Sequence, residues 1–447
     1  MKACSACQRI LPDEAGFCPV DGTALAASED VPIEADPEDE RVGSSMCGGR
    51  YRIRRKVADG GMGRVYQALD NEEQRSVAIK ILHPEVAMED IAVERFKREF
   101  ELSARLPHDH IVEVLAFEQT EDESFAIVME YLEGEELRNC MQREKFVRPE
   151  RMIRILAQLA IGLREPHELE LVHRDIKPDN IFLCGTESGP LVKLLDFGSV
   201  RDNSLGAKKL TVIGTTLGSP FYMSPEQAQG LQDLDHRADV WSIAAITYEA
   251  LTGKVPFYGV NGPQILLAIL GKEPVPPSIV SNADGFAGPK IPEAVDDVIA
   301  DALTKSQTIR IGSVGELANR LGHAYGLTGE HGLWAETSES ELAKAVAAAA
   351  VAAAGDARTT RRTKAASVHG DDAAASERGP QVARAAGPVS RRAGPPSQRL
   401  PGSSADGFHE EDFIMGLPDA SAGRRRFFIL GGIGLAVVAA VLFAVLR

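Results

Sequence analysis

The chain has no basic excess, no apolar leader and few cysteines, and each shortage closes off a class of function. Lys and Arg number 49 against 65 Asp and Glu, a net charge of −16. No global positive field exists to attract a phosphate backbone, so nucleic acid is not expected as a partner. Met1–Leu11 is polar and cysteine-bearing, which argues against a secretory signal. Six cysteines in 447 residues make no disulfide framework. Three of them crowd the N-terminus and point to a metal site in a reducing compartment.

What is present falls into five segments: 1–27, 28–49, 50–326, 327–426 and 427–446. Residues 1–27 form a small cysteine-bearing module. Residues 28–49 are expected to be an acidic disordered linker, since 29–40 hold seven acids and no Lys or Arg. Residues 50–326 have globular composition with alternating strand-like and helix-like patterns. Residues 327–426 read as a flexible linker rich in Ala, Pro and Arg, in which Glu341–Ala354 is Ala-rich enough for a transient helix. Within it, 358–399 hold nine Lys or Arg against three acids. Phe427–Leu446 contains twenty uncharged, mostly apolar residues. A helix of that length spans about 30 Å, a bilayer core; the alternative is a buried core helix. Arg424, Arg425 and Arg426 favour a cytoplasmic N-terminal side. The expectation is a single-pass anchor in the cell (inner) membrane with the globular region in the cytoplasm. Gly432, Ala436, Ala440 and Ala444 recur at four-residue steps, a spacing that suits a homodimer but also arises by chance in an alanine-rich anchor.

Several residues in the globular segment suit phosphate chemistry. Gly60, Gly61 and Gly63 lie between two strand-like runs, where backbone N–H groups can approach phosphate oxygens. The motif is a weak signal alone, and its first position is Ala58. Val77–Lys80 alternates as a strand, with Ala78 and Lys80 on one face. A helix over about 89–106 carries Phe96, Glu99, Leu102 and Leu106 on one stripe. A carboxylate on a buried stripe needs a partner, and Lys80 is the candidate. His173-Arg174-Asp175-Ile176-Lys177-Pro178-Asp179-Asn180, followed by Asp196-Phe197-Gly198, gathers a candidate base, a lysine and two metal-binding side chains. Mg²⁺ prefers such oxygen ligands, with Mn²⁺ as a substitute.

Together these motifs, with Gly60–Tyr66 and Tyr222–Gln227, resemble the Hanks-type protein kinases, most closely the bacterial Ser/Thr branch. The resemblance covers about 50–322 and implies an α+β, bilobal kinase fold with ATP in the cleft and protein substrates. It implies that Lys80 reaches the α- and β-phosphates and pairs with Glu99. Val57, Ala58, Val65, Ala78 and Leu183 would surround the nucleotide, and the backbone of Glu130 and Leu132 would bind adenine beside a gatekeeper Met129. Asp175 would orient the acceptor hydroxyl, Lys177 would balance charge on the γ-phosphate, and Asn180 and Asp196 would chelate Mg²⁺. The resemblance further implies that Asp239 caps the catalytic loop, that Glu226 pairs with Arg310, and that one of the acceptors Ser204, Thr211, Thr215 and Thr216, with Thr211 at the position where relatives often autophosphorylate, carries a phosphate answered by Arg174. A catalytically silent scaffold and a small-molecule kinase are the competing readings.

Cys4-Ser5-Ala6-Cys7 and Cys18-Pro19-Val20-Asp21 look like the two knuckles of a zinc ribbon, with Cys4, Cys7, Cys18 and Asp21 as ligands. Unliganded thiols or a redox pair are the alternatives.

Overall fold

The computed structural model describes residues 39–196, 220–231 and 233–352, together with short strands at 2–3, 10–11, 26–27 and 201–202. The first three of those strands pair antiparallel, with 2–3 in the middle. Cys4, Cys7, Cys18, Asp21, Phe197, Gly198, Thr211 and the 427–446 stretch lie outside the described residues. Among the described residues, no helix is long and apolar enough to cross a membrane.

The small lobe is a six-stranded antiparallel sheet in the order β1-β2-β3-β4-β6-β5. Its strands are β1 (Ser45–Met46), β2 (Tyr51–Asp59), β3 (Gly63–Asp70), β4 (Arg75–Leu82), β5 (Val114–Gln119) and β6 (Phe125–Glu130). Strand alternation divides β4 between two environments. Val77, Ile79 and Ile81 join Tyr51, Ile53 and Tyr66 in one cluster, with Met46 and Val42 packed against them. Ala78, Lys80 and Leu82 point the other way, toward helix α1 (Asp90–Ser103) and the cleft; Leu82 meets Phe96 and Ile127 there. Helix α1 buries Ala92, Phe96, Glu99, Leu102 and Ser103, a stripe at helical spacing. Each fully buried aliphatic or aromatic side chain of this kind contributes roughly 1.5–3 kcal/mol.

A second sheet, β7 (Gly134–Glu136), β8 (Ile181–Cys184) and β9 (Leu191–Leu194), lies where the lobes meet. Gly134 has φ +154°, and an added Cβ would lie 2.0 Å from the Leu183 carbonyl oxygen. Only glycine fits that approach. The large lobe is helical: α2 (Leu137–Glu144), α3 (Pro149–Glu168), α4 (Arg237–Thr252), α5 (Gly262–Gly271), α6 (Ala294–Ala302) and α7 (Val314–Ala324). Helices α3 and α4 are buried along almost their whole length. Trp241 of α4 stacks on Phe257 with ring centroids 5.4 Å apart.

Two segment boundaries differ from the sequence expectation. The acidic segment is folded from residue 39 onward. The Asp39 carboxylate is 4% exposed, accepts a 2.9 Å hydrogen bond from the Tyr66 hydroxyl, and lies 3.7 Å from Arg64 and 3.8 Å from Lys56. Acidic composition suggested disorder, but two cations and a phenol on β2 and β3 hold this carboxylate. At the other end, residues 327–352 are not a flexible linker. Helix α8 (His331–Glu336) and helix α9 (339–352) pack on the large lobe, with Trp334 and Leu342 each 2% exposed.

Candidate active site in the interlobe cleft

Lys80 projects from the middle of β4, opposite Val65 on β3 and Ile127 on β6. Its ammonium donates to Glu99 Oε1 at 2.6 Å and to Asp196 Oδ1 at 3.0 Å. Burial alone lowers a lysine's pKa, but the charges of Asp196 and Glu99 more than offset it and hold the ammonium protonated. Burial pushes the Glu99 carboxyl up to about 7, against the pull of Lys80. The Asp196 side chain is 47% exposed at the cleft surface. The depth of the cleft raises its pKa, and Lys80 overcomes that and leaves it below the ordinary carboxylate value.

The loop after the short strand Leu171–Val172 carries the remaining polar groups. Lys177 Nζ donates to Asp175 Oδ2 at 2.8 Å. Asn180 Nδ2 donates to the Asp175 carbonyl at 2.8 Å, which leaves the amide oxygen as the free-standing acceptor type of that side chain. The Leu195 N–H donates to the Asn180 carbonyl at 2.9 Å, and His173 Nε2 bonds the Leu195 carbonyl at 3.0 Å. The loop and the residue before Asp196 are thereby held in one frame. Arg174 and Asp196 have φ of +68° and +53°, a left-handed conformation that costs about 1–3 kcal/mol and clusters at functional sites.

Asp239, fully buried at the start of α4, accepts from the backbone N–H of His173 and of Arg174, both at 2.9 Å. His167 Nε2 adds a third contact at 2.9 Å. Burial raises this carboxyl's pKa, and the bonds from His167 and the loop bring it below the ordinary value. Glu226 and Arg310 form a buried two-bond pair at 2.7 and 2.9 Å.

The sequence-expected nucleotide residues fall around the same cleft. Ala78 and Leu183 are buried, Val65 is half-buried, and Val57 is exposed at an irregularity in the β2–β3 pairing. Met129 packs beside Phe96. Glu130 ends β6, and its carboxylate pairs with Lys193 of β9 at 2.5 Å; Leu132 follows in the connector to β7. Gly60 and Gly61 form the hairpin tip, closed by a 3.0 Å bond from Gly60 N–H to the Gly63 carbonyl, and Ala58 precedes it on β2, paired with Val65. Gly63 answers to packing: an added Cβ would sit 2.2 Å from the Ile81 carbonyl oxygen.

Sequence reasoning missed four supporting residues. Gln227 Nε2 donates to the Arg174 carbonyl at 2.6 Å. Arg138 joins Asp179, Glu249 and the Tyr222 hydroxyl, the last at 2.6 Å. Gln158 fixes β9 by accepting from the Val192 N–H at 2.9 Å. Lys193 reaches Glu130 across the connector. Only Gln227, which immediately follows Glu226 in the Tyr222–Gln227 motif, carried a local signal.

An ammonium facing two carboxylates, beside a second carboxylate–lysine pair and an amide, can neutralise and orient a polyanion. The protein kinase domain model matches residues 51–325 of this chain. That is more than half its length, and the chain belongs to the protein kinase domain family. A serine/threonine-protein kinase of Myxococcus xanthus, pkn3, is 35% identical over 275 residues, covering 61% of this chain and 49% of its own. PksC of Streptomyces coelicolor, also named a serine/threonine-protein kinase, is 38% identical over 280 residues, covering 61% and 48%. The Mycobacterium tuberculosis kinase PknA is 34% identical over 283 residues, 62% of each chain. The crystal structure of the Mycobacterium tuberculosis PknI kinase domain aligns with TM-score 0.47 and 25% identity, covering 63% of this chain and 98% of that one. The chain spans about half the length of the first of these relatives.

Proposed function

We propose that this chain is a serine/threonine protein kinase that transfers the γ-phosphoryl group of ATP to protein hydroxyls. The observation that carries the reading is the Lys80–Glu99 pair at 2.6 Å with Asp196 on the same ammonium, set beside Asp175, Lys177 and Asn180. A silent scaffold has no need to keep every one of these groups. Asn180 and Asp196 would hold Mg²⁺: both offer hard oxygen donors, and Asp196 is ionised and open to the cleft. When bound, the cation supplies charge neutralisation to the phosphates. Lys80 holds the nucleotide's α- and β-phosphates, and Glu99 keeps that ammonium in place. Asp175 accepts the acceptor hydroxyl's hydrogen bond, and Lys177 stabilises charge on the transferred group. The backbone of Glu130 and Leu132 takes the adenine edge between Ala78, Val65 and Leu183.

Full-length protein incubated with Mg·ATP is expected to carry new phosphate on its own serines or threonines, Thr211 among them. Phosphosite mapping that finds none on either residue type contradicts the reading.

The zinc, membrane and dimer readings rest on sequence alone. Cys4, Cys7, Cys18 and Asp21 bind a structural Zn²⁺, and Phe427–Leu446 tethers the kinase to the cytoplasmic face of the membrane, where its four-residue stripe of small residues permits pairing of two copies. Metal content near one zinc per chain under reducing conditions supports the first, and a chain free of zinc rejects it. Recovery in the membrane fraction supports the second; recovery in the soluble fraction rejects it.

A further inference from the structure

Residues 326–352 lie beyond the stretch that matches the kinase family, yet they fold onto the large lobe. Trp334 anchors them. Its ring lies against Gly322 of α7, where an added Cβ would be 2.2 Å away, and its N–H donates to the Thr328 carbonyl at 3.0 Å. Glu339 then opens α9 and reaches two places. Its carboxylate accepts from Arg151 Nε of α3 at 3.0 and 3.1 Å. Its backbone N–H donates to the Ser188 carbonyl at 2.9 Å.

Ser188 lies in the turn that joins β8 to β9. The same turn is gripped from α3. The Pro190 carbonyl accepts from Gln158 Nε2 at 3.0 Å and from Arg154 Nη1. Arg154 in turn donates to the Thr337 carbonyl at 3.0 Å. The extension, α3 and the closed end of the β8–β9 hairpin are thus one hydrogen-bonded block. The open end of that hairpin carries Asn180 immediately before β8 and Asp196 shortly after β9.

We propose that Glu339 is a positioning residue for phosphoryl transfer. By fixing the hairpin's closed end against α3, it sets where Asn180 and Asp196 stand at the open end, and so how well the site accepts cation-bound nucleotide. The proposal rests on the Mg·ATP reading given above. Each hairpin strand has four residues, about 13 Å, so the hairpin is a short lever with little slack. Glu339 itself touches neither nucleotide nor metal ligand; it acts through the turn.

The test uses the full chain with Glu339→Gln and Glu339→Asp, and with Glu336→Gln as the control, an exposed acid on the same extension. Two quantities are read: the affinity for a fluorescent ATP analogue with and without magnesium, and hydrogen exchange of the amides in 181–195. Glu339→Gln is expected to weaken magnesium-dependent binding roughly tenfold, the scale set by supporting groups around a metal site. Metal-free binding is expected to stay unchanged, and exchange in the hairpin to quicken. Glu339→Asp restores much of the loss, and Glu336→Gln changes neither quantity. A purely structural role lowers the melting temperature while leaving the ratio of the two affinities intact, and that result overturns the proposal alone. A wild type that binds no nucleotide with magnesium overturns the reading of the site and this proposal with it.

Discussion

At the scale of single residues, the cleft is governed by one ammonium shared between two carboxylates. Glu99 is the member whose charge is most sensitive to conditions. Its folded value near 7 lies above the ordinary 4.5, because burial disfavours the anion. The fold therefore gains stability from this group below about pH 4.5 and loses it as pH rises through about 7. Nucleotide binding runs the opposite way. When Glu99 takes a proton, Lys80 leans on Asp196 alone and competes for the carboxylate that would ligate the cation. Affinity for Mg·ATP is expected to fall as pH drops through about 7. Glu99→Gln, neutral throughout, is expected to bind more weakly at high pH and to show no such inflection. Parallel pH profiles for the two proteins, measured by calorimetry, would contradict this assignment.

Much of this residue-level picture was legible in the sequence because the chemistry leaves few choices. Asp175, Lys177 and Asn180 lie within six residues of one another, and Glu99 betrayed itself as a carboxylate on an apolar helical stripe. Arg138, Gln158 and Lys193 were not legible. Each is an ordinary polar residue whose partner is distant in sequence, and only the packing of two elements defines its role.

At the scale of elements, Asp239 shows how a buried helix start holds a loop in a costly conformation. Its carboxylate satisfies two consecutive backbone N–H groups, one of them belonging to left-handed Arg174. Asp239→Asn removes the charge that strengthens these bonds and is expected to cost roughly 3 kcal/mol. The sign of its pH dependence follows from the depressed carboxyl pKa. The stabilisation is present above the ordinary aspartate value of 3.8 and is lost as pH falls through the folded value. The stability gap between wild type and Asp239→Asn should be full at neutral pH and should narrow in acid. Denaturant titrations that give a constant gap, or none, would contradict the argument. The glycines tell a related story: beside the role toward phosphate expected of Gly63, contact with the Ile81 carbonyl by itself forbids a side chain there.

At the scale of the whole molecule, folded segments flank the family-matched kinase body on both sides. Asp39 ties the N-terminal segment to β2 and β3, the strands that flank the glycine-rich hairpin. Trp334 and Glu339 tie the C-terminal segment to α3 and the β8–β9 turn. The N-terminal extension was not legible, and of the C-terminal one only the alanine-rich helix expected over 341–354 was, for a common reason. Acid-rich and alanine-rich stretches bury little surface per residue, so a pattern reading assigns them to linkers. Here a few anchors decide the outcome, and they act only because the kinase body presents cations and, at Gly322, room for the Trp334 ring. The lobes themselves were legible through the resemblance to protein kinases, with strand alternation and one helical stripe placing their local elements.

The claim on which the account turns is that Lys80 and Asp175 move a phosphoryl group from ATP to protein hydroxyls. Incubation of the full chain with γ-labelled Mg·ATP tests it directly, comparing wild type with Lys80→Met and Asp175→Asn. Wild type is expected to label on serine and threonine, and each variant to lose at least about a hundredfold in rate, the scale of removing one group that stabilises the transition state. Equal labelling in all three proteins, or none in wild type, would contradict it.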